Sequence, residues 1–200
     1  LKILVGCEST QTVTKAFRDR GHEAYSCDIL PTDGNPDWHF QEDIFSALKR
    51  DDFDLGIFHP PCTYLCSSGL HWNTKRPERT KLTEEALSFV IKLLSVDIPK
   101  ICLENPVGRI NTTIRAPDQY IQPYDFGHDA SKKTGLWLKG LPLLQKTRYI
   151  EPRIVNGKKR WGNQTDSGQN KLQPSKNRWK LRSMTYQGWA DAMADQWSFS

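Results

Sequence analysis

The chain has 200 residues, 37% of them apolar, which is enough for one well-formed core and favours one domain over two. Its net charge of +5, from 28 Lys and Arg against 23 Asp and Glu, permits a polyanionic partner without demanding one. No stretch approaches the roughly 20 apolar residues of a membrane helix, and no signal-peptide layout is visible, so a cytoplasmic protein without membrane contact is expected. Five cysteines, an odd number at irregular spacings, argue against a disulfide framework.

In chain order, Lys2–Glu8 reads as a strand and Thr12–Arg20 as a helix closed by Gly21. His22–Ile29 reads as a second strand, and Glu42–Lys49 as a short strand edge followed by a helix. Phe53–His59 is an apolar strand stopped by Pro60-Pro61. Ala86, Leu87, Val90, Leu93 and Leu94 recur at helical spacing behind Thr83 as N-cap, with Glu84 and Glu85 in the first turn. Lys100–Glu104 is a fifth strand ending at Asn105-Pro106. Strands alternating with crossovers predict an α/β fold, a Rossmann-like, doubly wound and mostly parallel sheet. Thr134–Leu138 and Thr147–Ile150 are expected to form an antiparallel edge hairpin. From Asn156 to Arg182, eight basic residues face one acid, Asp166, among Gly, Asn, Gln and Ser, which predicts a basic mobile loop over 156–182. Thr185–Trp197 returns to helical spacing through Trp189, Met193 and Trp197, and is expected to dock on the core. The whole chain, 1–200, is read as one domain.

In an open parallel sheet, ligands bind outside the carboxyl ends of the strands. Those ends carry Gly6-Cys7-Glu8-Ser9, Asp28, Asp43, His59-Pro60-Pro61-Cys62 and Glu104-Asn105-Pro106. Gly6 would let the first turn approach a ligand, and Asp28 stands where an acid commonly binds a nucleoside ribose. Two prolines after a buried strand project the thiol of Cys62 from the sheet edge. A thiolate is suited to adding at C6 of a pyrimidine, provided its ordinary pKa of about 8.5 is lowered or its attack is coupled to ring protonation. Glu104 would supply that coupling through cytosine N3, with Asn105 holding the carboxyl group. His59, Cys62, Cys66 and His71 also lie within thirteen positions, but their spacing matches no common zinc pattern, and no metal is expected.

His59-Pro60-Pro61-Cys62 resembles the proline-cysteine nucleophile motif of cytosine-C5 DNA methyltransferases, and Glu104-Asn105-Pro106 resembles their Glu-Asn-Val motif, in the same order. The resemblance covers residues 2–150 in outline and is nearest to a compact phage and prophage branch. It implies a fold of the class I methyltransferase type, S-adenosylmethionine as cofactor, DNA as partner, base flipping and a bacterial host. It also implies cofactor contacts from Gly6, Cys7, Glu8 and Ser9, from Asp28 and Ile29, from Asp43 and Ile44, and from His59 and Pro60. The first loop departs from the family's aromatic and two glycines. Ser131-Lys132-Lys133-Thr134 corresponds loosely to its Gln-Arg-x-Arg segment, so Lys132 and Lys133 are expected at phosphate or near the flipped base. Within these residues, 156–182 is the candidate for target recognition: Lys158, Lys159, Arg160 and Arg178 would meet phosphates while Trp161 and Trp179 stack on bases. Two other readings remain open. His-Pro-Pro-Cys also resembles the Asp-Pro-Pro-Tyr motif of exocyclic-amino methyltransferases acting on N4 of cytosine or N6 of adenine. The departure in the first loop suits a catalytically inactive nucleic-acid-binding module.

Overall fold

The computed structural model describes residues 1–70, 73, 75–176 and 178–199, the side chains of Leu70 and Trp179 excepted. The first apolar runs form β1 (Lys2–Gly6), α1 (Thr12–Arg18), β2 (Glu23–Asp28), β3 (His39–Gln41), α2 (Ile44–Ala47) and β4 (Leu55–Phe58). There follow α3 (Ser67–Leu70), α4 (Glu78–Leu94), β5 (Lys100–Pro106), α5 (Arg109–Thr113), β6 (Gln119–Ile121) and β7 (Thr134–Lys139). The chain ends with β8 (Arg153–Val155), β9 (Lys158–Arg160), α6 (Arg178–Ser183) and α7 (Gln187–Trp197).

Seven strands make one sheet in the order β3-β2-β1-β4-β5-β7-β6. Pairing is parallel from β3 across to β5, and β7 alone runs against its neighbours β5 and β6. Because β1 leads outward to β2 and β3 while β4 and β5 lie on its other side, the strand order reverses between β1 and β4. That switch point opens a crevice at the carboxyl ends of these two strands.

The central strands are buried on both faces, so alternate residues feed two apolar layers. Ile3 and Val5 of β1 pack with α1 and α7, against Phe17, Trp189, Met193 and Trp197. Leu4 packs on the other side with Ile44, Leu87, Val90, Leu93 and Phe58. The expected docking of the C-terminal helix is observed. Trp189, Met193 and Trp197 are completely buried, and Trp197 Nε1 donates to Pro142 O at 3.0 Å. Each such side chain contributes about 1.5–3 kcal/mol by burial. Arg20 holds the outer face through Asp191 and Asp195.

Three expectations are corrected. The long helix begins at Glu78, not behind Thr83, because Pro77 already has helical backbone angles and presets the first turn. Thr83 lies inside it, buried, with its hydroxyl 3.0 Å from Arg79 O and 3.1 Å from Tyr64 O. The antiparallel edge is present, but the partner of β7 is β6 rather than Thr147–Ile150. The Gln119 side chain bonds both ways with the Leu144 backbone, at 2.7 and 2.9 Å, so β6 takes the edge. Thr147–Ile150 runs past Tyr124–Phe126 instead, with one isolated bridge between Phe126 and Arg148. Finally, 156–182 is not a loop throughout: it contains β9, which pairs with β8, and most of α6.

Candidate active site

At the end of β4, two consecutive prolines offer no backbone donors, and the chain leaves the sheet. Leu65 N and Cys66 N both donate to Cys62 O, at 3.0 and 2.9 Å, so Cys62–Cys66 closes as one helical turn. Residues four apart in such a turn lie on one side, which brings the two thiols together.

Next to it runs β5, whose end carries Glu104 and Asn105. Asn105 Nδ2 donates to Pro60 O at 2.7 Å, and His59 Nδ1 donates to Glu104 Oε2 at 2.9 Å. A carboxylate oxygen only accepts, which fixes the proton on Nδ1. The loops after β4 and β5 are then stapled by Arg109 N to Leu65 O at 2.7 Å and Ser67 N to Val107 O at 3.0 Å. Gly108 permits this close approach, since a Cβ there would lie 1.9 Å from Leu65 O. The structure therefore brings Cys62, His59, Glu104 and Asn105 into one corner.

That corner has unmet hydrogen-bonding capacity. Glu104 Oε1, Asn105 Oδ1 and His59 Nε2 are all buried without a partner. An unpaired buried polar atom costs about 1–3 kcal/mol, and two of these three belong to His59 and Glu104, which are bonded to each other.

Charge in the corner is organised as well. Burial pushes the Glu104 carboxyl up, but the His59 hydrogen bond and the charges of Lys132 and His59 outweigh it, leaving the group below its ordinary value. Glu104 is thus ionised at neutral pH. Cys62 and Cys66 share a hydrogen bond, so the pair gives up its first proton easily and its second with difficulty. The Ser68 hydroxyl, the Gly69 N–H and the Arg182 charge favour the shared negative charge near Cys66, whereas burial and Glu104 oppose it at Cys62. Cys66 was considered from sequence only as a metal ligand; its spacing of four from Cys62 was the signal for this pairing. His71 of that candidate set lies outside the described residues.

The loop after β1 behaves differently. Glu8 is buried and its carboxylate is engaged by the start of α1, accepting from Val13 N at 2.7 Å, Thr14 N at 3.2 Å and Thr14 Oγ1 at 2.7 Å. α1 has no capping side chain at Gln11, and Glu8, expected as a cofactor contact, serves that structural need. At Gly6 the space a Cβ would occupy is filled by Ile44 Cδ1 and Phe58 Cδ1, at 2.7 and 2.8 Å, so core packing also requires a glycine there. Ile44 is accordingly a core residue, and Asp43 caps α2 by accepting from Phe45 N at 2.9 Å. Cys7 and Gln11 both adopt left-handed backbone angles, with φ of 60° and 58°. Gln11 pins the next loop, its side chain bonding Asn35 N and O at 2.7 and 2.8 Å.

Asp28 keeps more freedom. It is half-buried, one oxygen accepts from Leu30 N at 2.9 Å, and the neighbouring Ile29 is 75% exposed. An acid beside an unshielded aliphatic face suits a nucleoside, whose ribose hydroxyls donate and whose base is apolar. Burial pushes the Cys7 thiol up, and the nearby charges of Asp28 and Asp43 add to this, so the ends of β1, β2 and β3 converge around Cys7.

The two lysines before β7 diverge. Lys132 Nζ lies 5.8 Å from the centre of the Trp189 ring and its charge acts on Glu104 and Cys62, while Lys133 Nζ lies 4.2 Å from the centre of the Tyr120 ring. Trp161 is corrected from an open stacking platform to a packed residue. It is 7% exposed, stacks on Tyr124 at 4.0 Å, and donates from Nε1 to Ile150 O at 3.2 Å. Lys158 and Lys159 are exposed and Arg178 is half-buried; the Trp179 side chain lies outside the described residues. Among the described residues no helix is long and apolar enough to cross a membrane.

The sheet order, the single reversed strand and the crevice between β1 and β4 define a Rossmann-like α/β fold. No family model matches the chain, and no curated protein does. Among solved structures, it is similar to a prophage-encoded E. coli protein provisionally assigned as a DNA modification methyltransferase, at 14% identity and a TM-score of 0.43. The match covers 75% of this chain and 52% of that one, so the chain spans about half the length of that structure.

Proposed function

We propose that this chain transfers a methyl group from S-adenosylmethionine to C5 of cytosine in DNA, with Cys62 as nucleophile. The observation that carries this reading is the buried Glu104 carboxylate, its Oε1 unpartnered, held beside the Cys62–Cys66 pair. In the rival chemistry at an exocyclic amino group, neither the thiol nor that carboxylate has a task.

Cytosine enters the corner extruded from its stack. Its amino group donates to Glu104 Oε1, which lacks a partner. Entry of the base desolvates Glu104 further and raises its proton affinity, so that the carboxylate takes up a proton from solvent and shares it with N3. Cys66 takes the thiol proton of Cys62 through their hydrogen bond, and the Cys62 sulfur forms a bond to C6. The C5–C6 π electrons move to C5, and the N3 proton balances the charge that reaches the ring. S-adenosylmethionine supplies the electrophilic methyl group. Asp28 and the apolar Ile29 surface hold its nucleoside portion; Glu8 is unavailable to its ammonium group. Loss of the C5 proton to water and departure of the Cys62 sulfur then restore the aromatic ring.

The test is to incubate the protein with isotopically labelled S-adenosylmethionine and DNA, digest to nucleosides and separate the products. Labelled 5-methylcytosine, absent with Cys62→Ala, is the expected result. Label in N4-methylcytosine or N6-methyladenine would replace this reading with amino methylation, and no label together with no cofactor binding would leave an inactive binding module.

A further inference from the structure

Strands β8 and β9 form a two-residue hairpin outside the main sheet, with Arg153 opposite Arg160, Ile154 opposite Lys159 and Val155 opposite Lys158. Its tip is Asn156-Gly157, both left-handed with φ of 49° and 72°, the combination that a type I′ turn requires. One face is buttressed. Arg153 bonds Asp166 and Gln164 O, and Arg160 Nε donates to Asp166 O at 3.1 Å, so the 164–168 turn supports the ribbon from that side. The opposite face carries Ile154, 63% exposed, and Lys159; Lys158 stands at the tip. Neither lysine has a partner among the described residues. An isolated two-stranded ribbon is at best marginally stable, and its cationic, aliphatic free face makes no contribution to this fold.

The ribbon is tied to the active corner by packed contacts. The Trp161 ring following β9 is stacked on Tyr124, Gly162 N donates to Asp129 Oδ1 at 2.7 Å, and Asn163 exchanges two hydrogen bonds with the Ser131 backbone at 2.9 and 3.0 Å. Ser131 adjoins Lys132, whose charge reaches Glu104 and Cys62.

We infer that the β8–β9 hairpin is a duplex-DNA docking element that enters the major groove. Strands of three residues reach roughly 10 Å, against a major-groove depth of about 8.5 Å and a width of about 12 Å that admits a two-stranded ribbon. The deep, narrow major groove of A-form RNA excludes it. Lys158 and Lys159 meet phosphates, while Ile154 provides the apolar contact that a thymine methyl group accepts. This deepens the proposed function by naming duplex DNA as the form engaged, and it rests on that reading for its purpose but not for its test.

The experiment measures binding of the full chain to a labelled duplex of about 25 base pairs across a salt series, by fluorescence anisotropy. Lys158→Ala/Lys159→Ala is expected to weaken binding at least about tenfold and to reduce the slope of log K against log salt by about 2. Ile154→Ser is expected to leave the slope unchanged while narrowing the affinity difference between duplexes with and without thymine. Wild type is expected to prefer duplex DNA to an RNA duplex and to vesicles containing phosphatidylserine. Unchanged affinity and slope in the double variant, with its melting temperature retained, would overturn the inference, as would equal binding to the RNA duplex or the vesicles. A hairpin-dependent DNA affinity in a protein that binds no S-adenosylmethionine would uphold the inference while defeating the methyl-transfer reading.

Discussion

Two regions at the carboxyl edge of the same sheet use buried carboxylates in opposite ways. After β1, Glu8 accepts three hydrogen bonds and leaves α1 with a satisfied start. After β5, Glu104 receives one bond, from His59, and keeps Oε1 without a partner. Burial is similar, 4% exposure against 5%, so burial alone does not separate an acid whose oxygens the fold uses from one with an oxygen to spare. What separates them is whether the fold consumes the oxygen atoms. The first region holds a shape, and the second holds a vacancy in hydrogen bonding that a base edge can fill.

The comparison breaks most visibly in activity. Glu104→Gln keeps the shape of the corner but cannot share a proton in the same way, and is expected to lower methyl transfer by about 10²–10⁴-fold. Its effect on urea unfolding is expected to be small. If activity survives intact, Glu104 is structural and the contrast fails. Glu8→Ala is expected to show the reverse pattern, a loss of about 3 kcal/mol or more in urea unfolding, because buried donors at the start of α1 lose a charged acceptor. A stability change below about 1 kcal/mol would mean that α1 finds another cap.

Smaller effects sharpen the electrostatics. Lys132→Ala removes a charge that holds the Glu104 carboxyl down, so its titration, followed by carboxyl-carbon NMR, is expected to move to higher pH. The sign matters for stability. A depressed carboxyl stabilises the fold above its unfolded pKa and loses that contribution as pH falls through the folded value, so wild type should resist acid further than the variant. Cys66→Ser removes the thiolate partner of Cys62. The first alkylation by iodoacetamide, which in wild type begins below the ordinary thiol range, is expected to shift to higher pH. An unchanged alkylation profile would show that the two thiols do not share a proton.

Much of this was legible in the sequence because it follows from short local signals. Apolar runs ended by Pro60-Pro61 and by Asn105-Pro106 place Cys62 and Glu104 at adjacent strand ends, and the helical spacing of Trp189, Met193 and Trp197 anticipates a docked helix. The misreadings share a cause: each depended on a long-range partner. The packing of Ile44 and Phe58 against Gly6 was not visible in the sequence. Trp161 looked exposed among basic residues, but Tyr124, 37 positions earlier, covers its face. β6 has three residues, too few for a period to register, yet Gln119 secures it to Leu144. The pairing of Cys66 with Cys62 was legible in principle, since it is a spacing of four next to a helix-initiating proline turn.

The central claim is that Cys62 bonds to C6 of a cytosine held against Glu104. The measurement that tests it most directly uses duplex DNA containing 5-fluorocytosine with S-adenosylmethionine, because fluorine at C5 blocks the elimination that would release the enzyme. The account predicts a denaturation-resistant protein–DNA adduct whose mass fits one added methyl group and whose peptide map places the bond on Cys62, absent with Cys62→Ala. No adduct from a folded protein that binds both DNA and S-adenosylmethionine would contradict it.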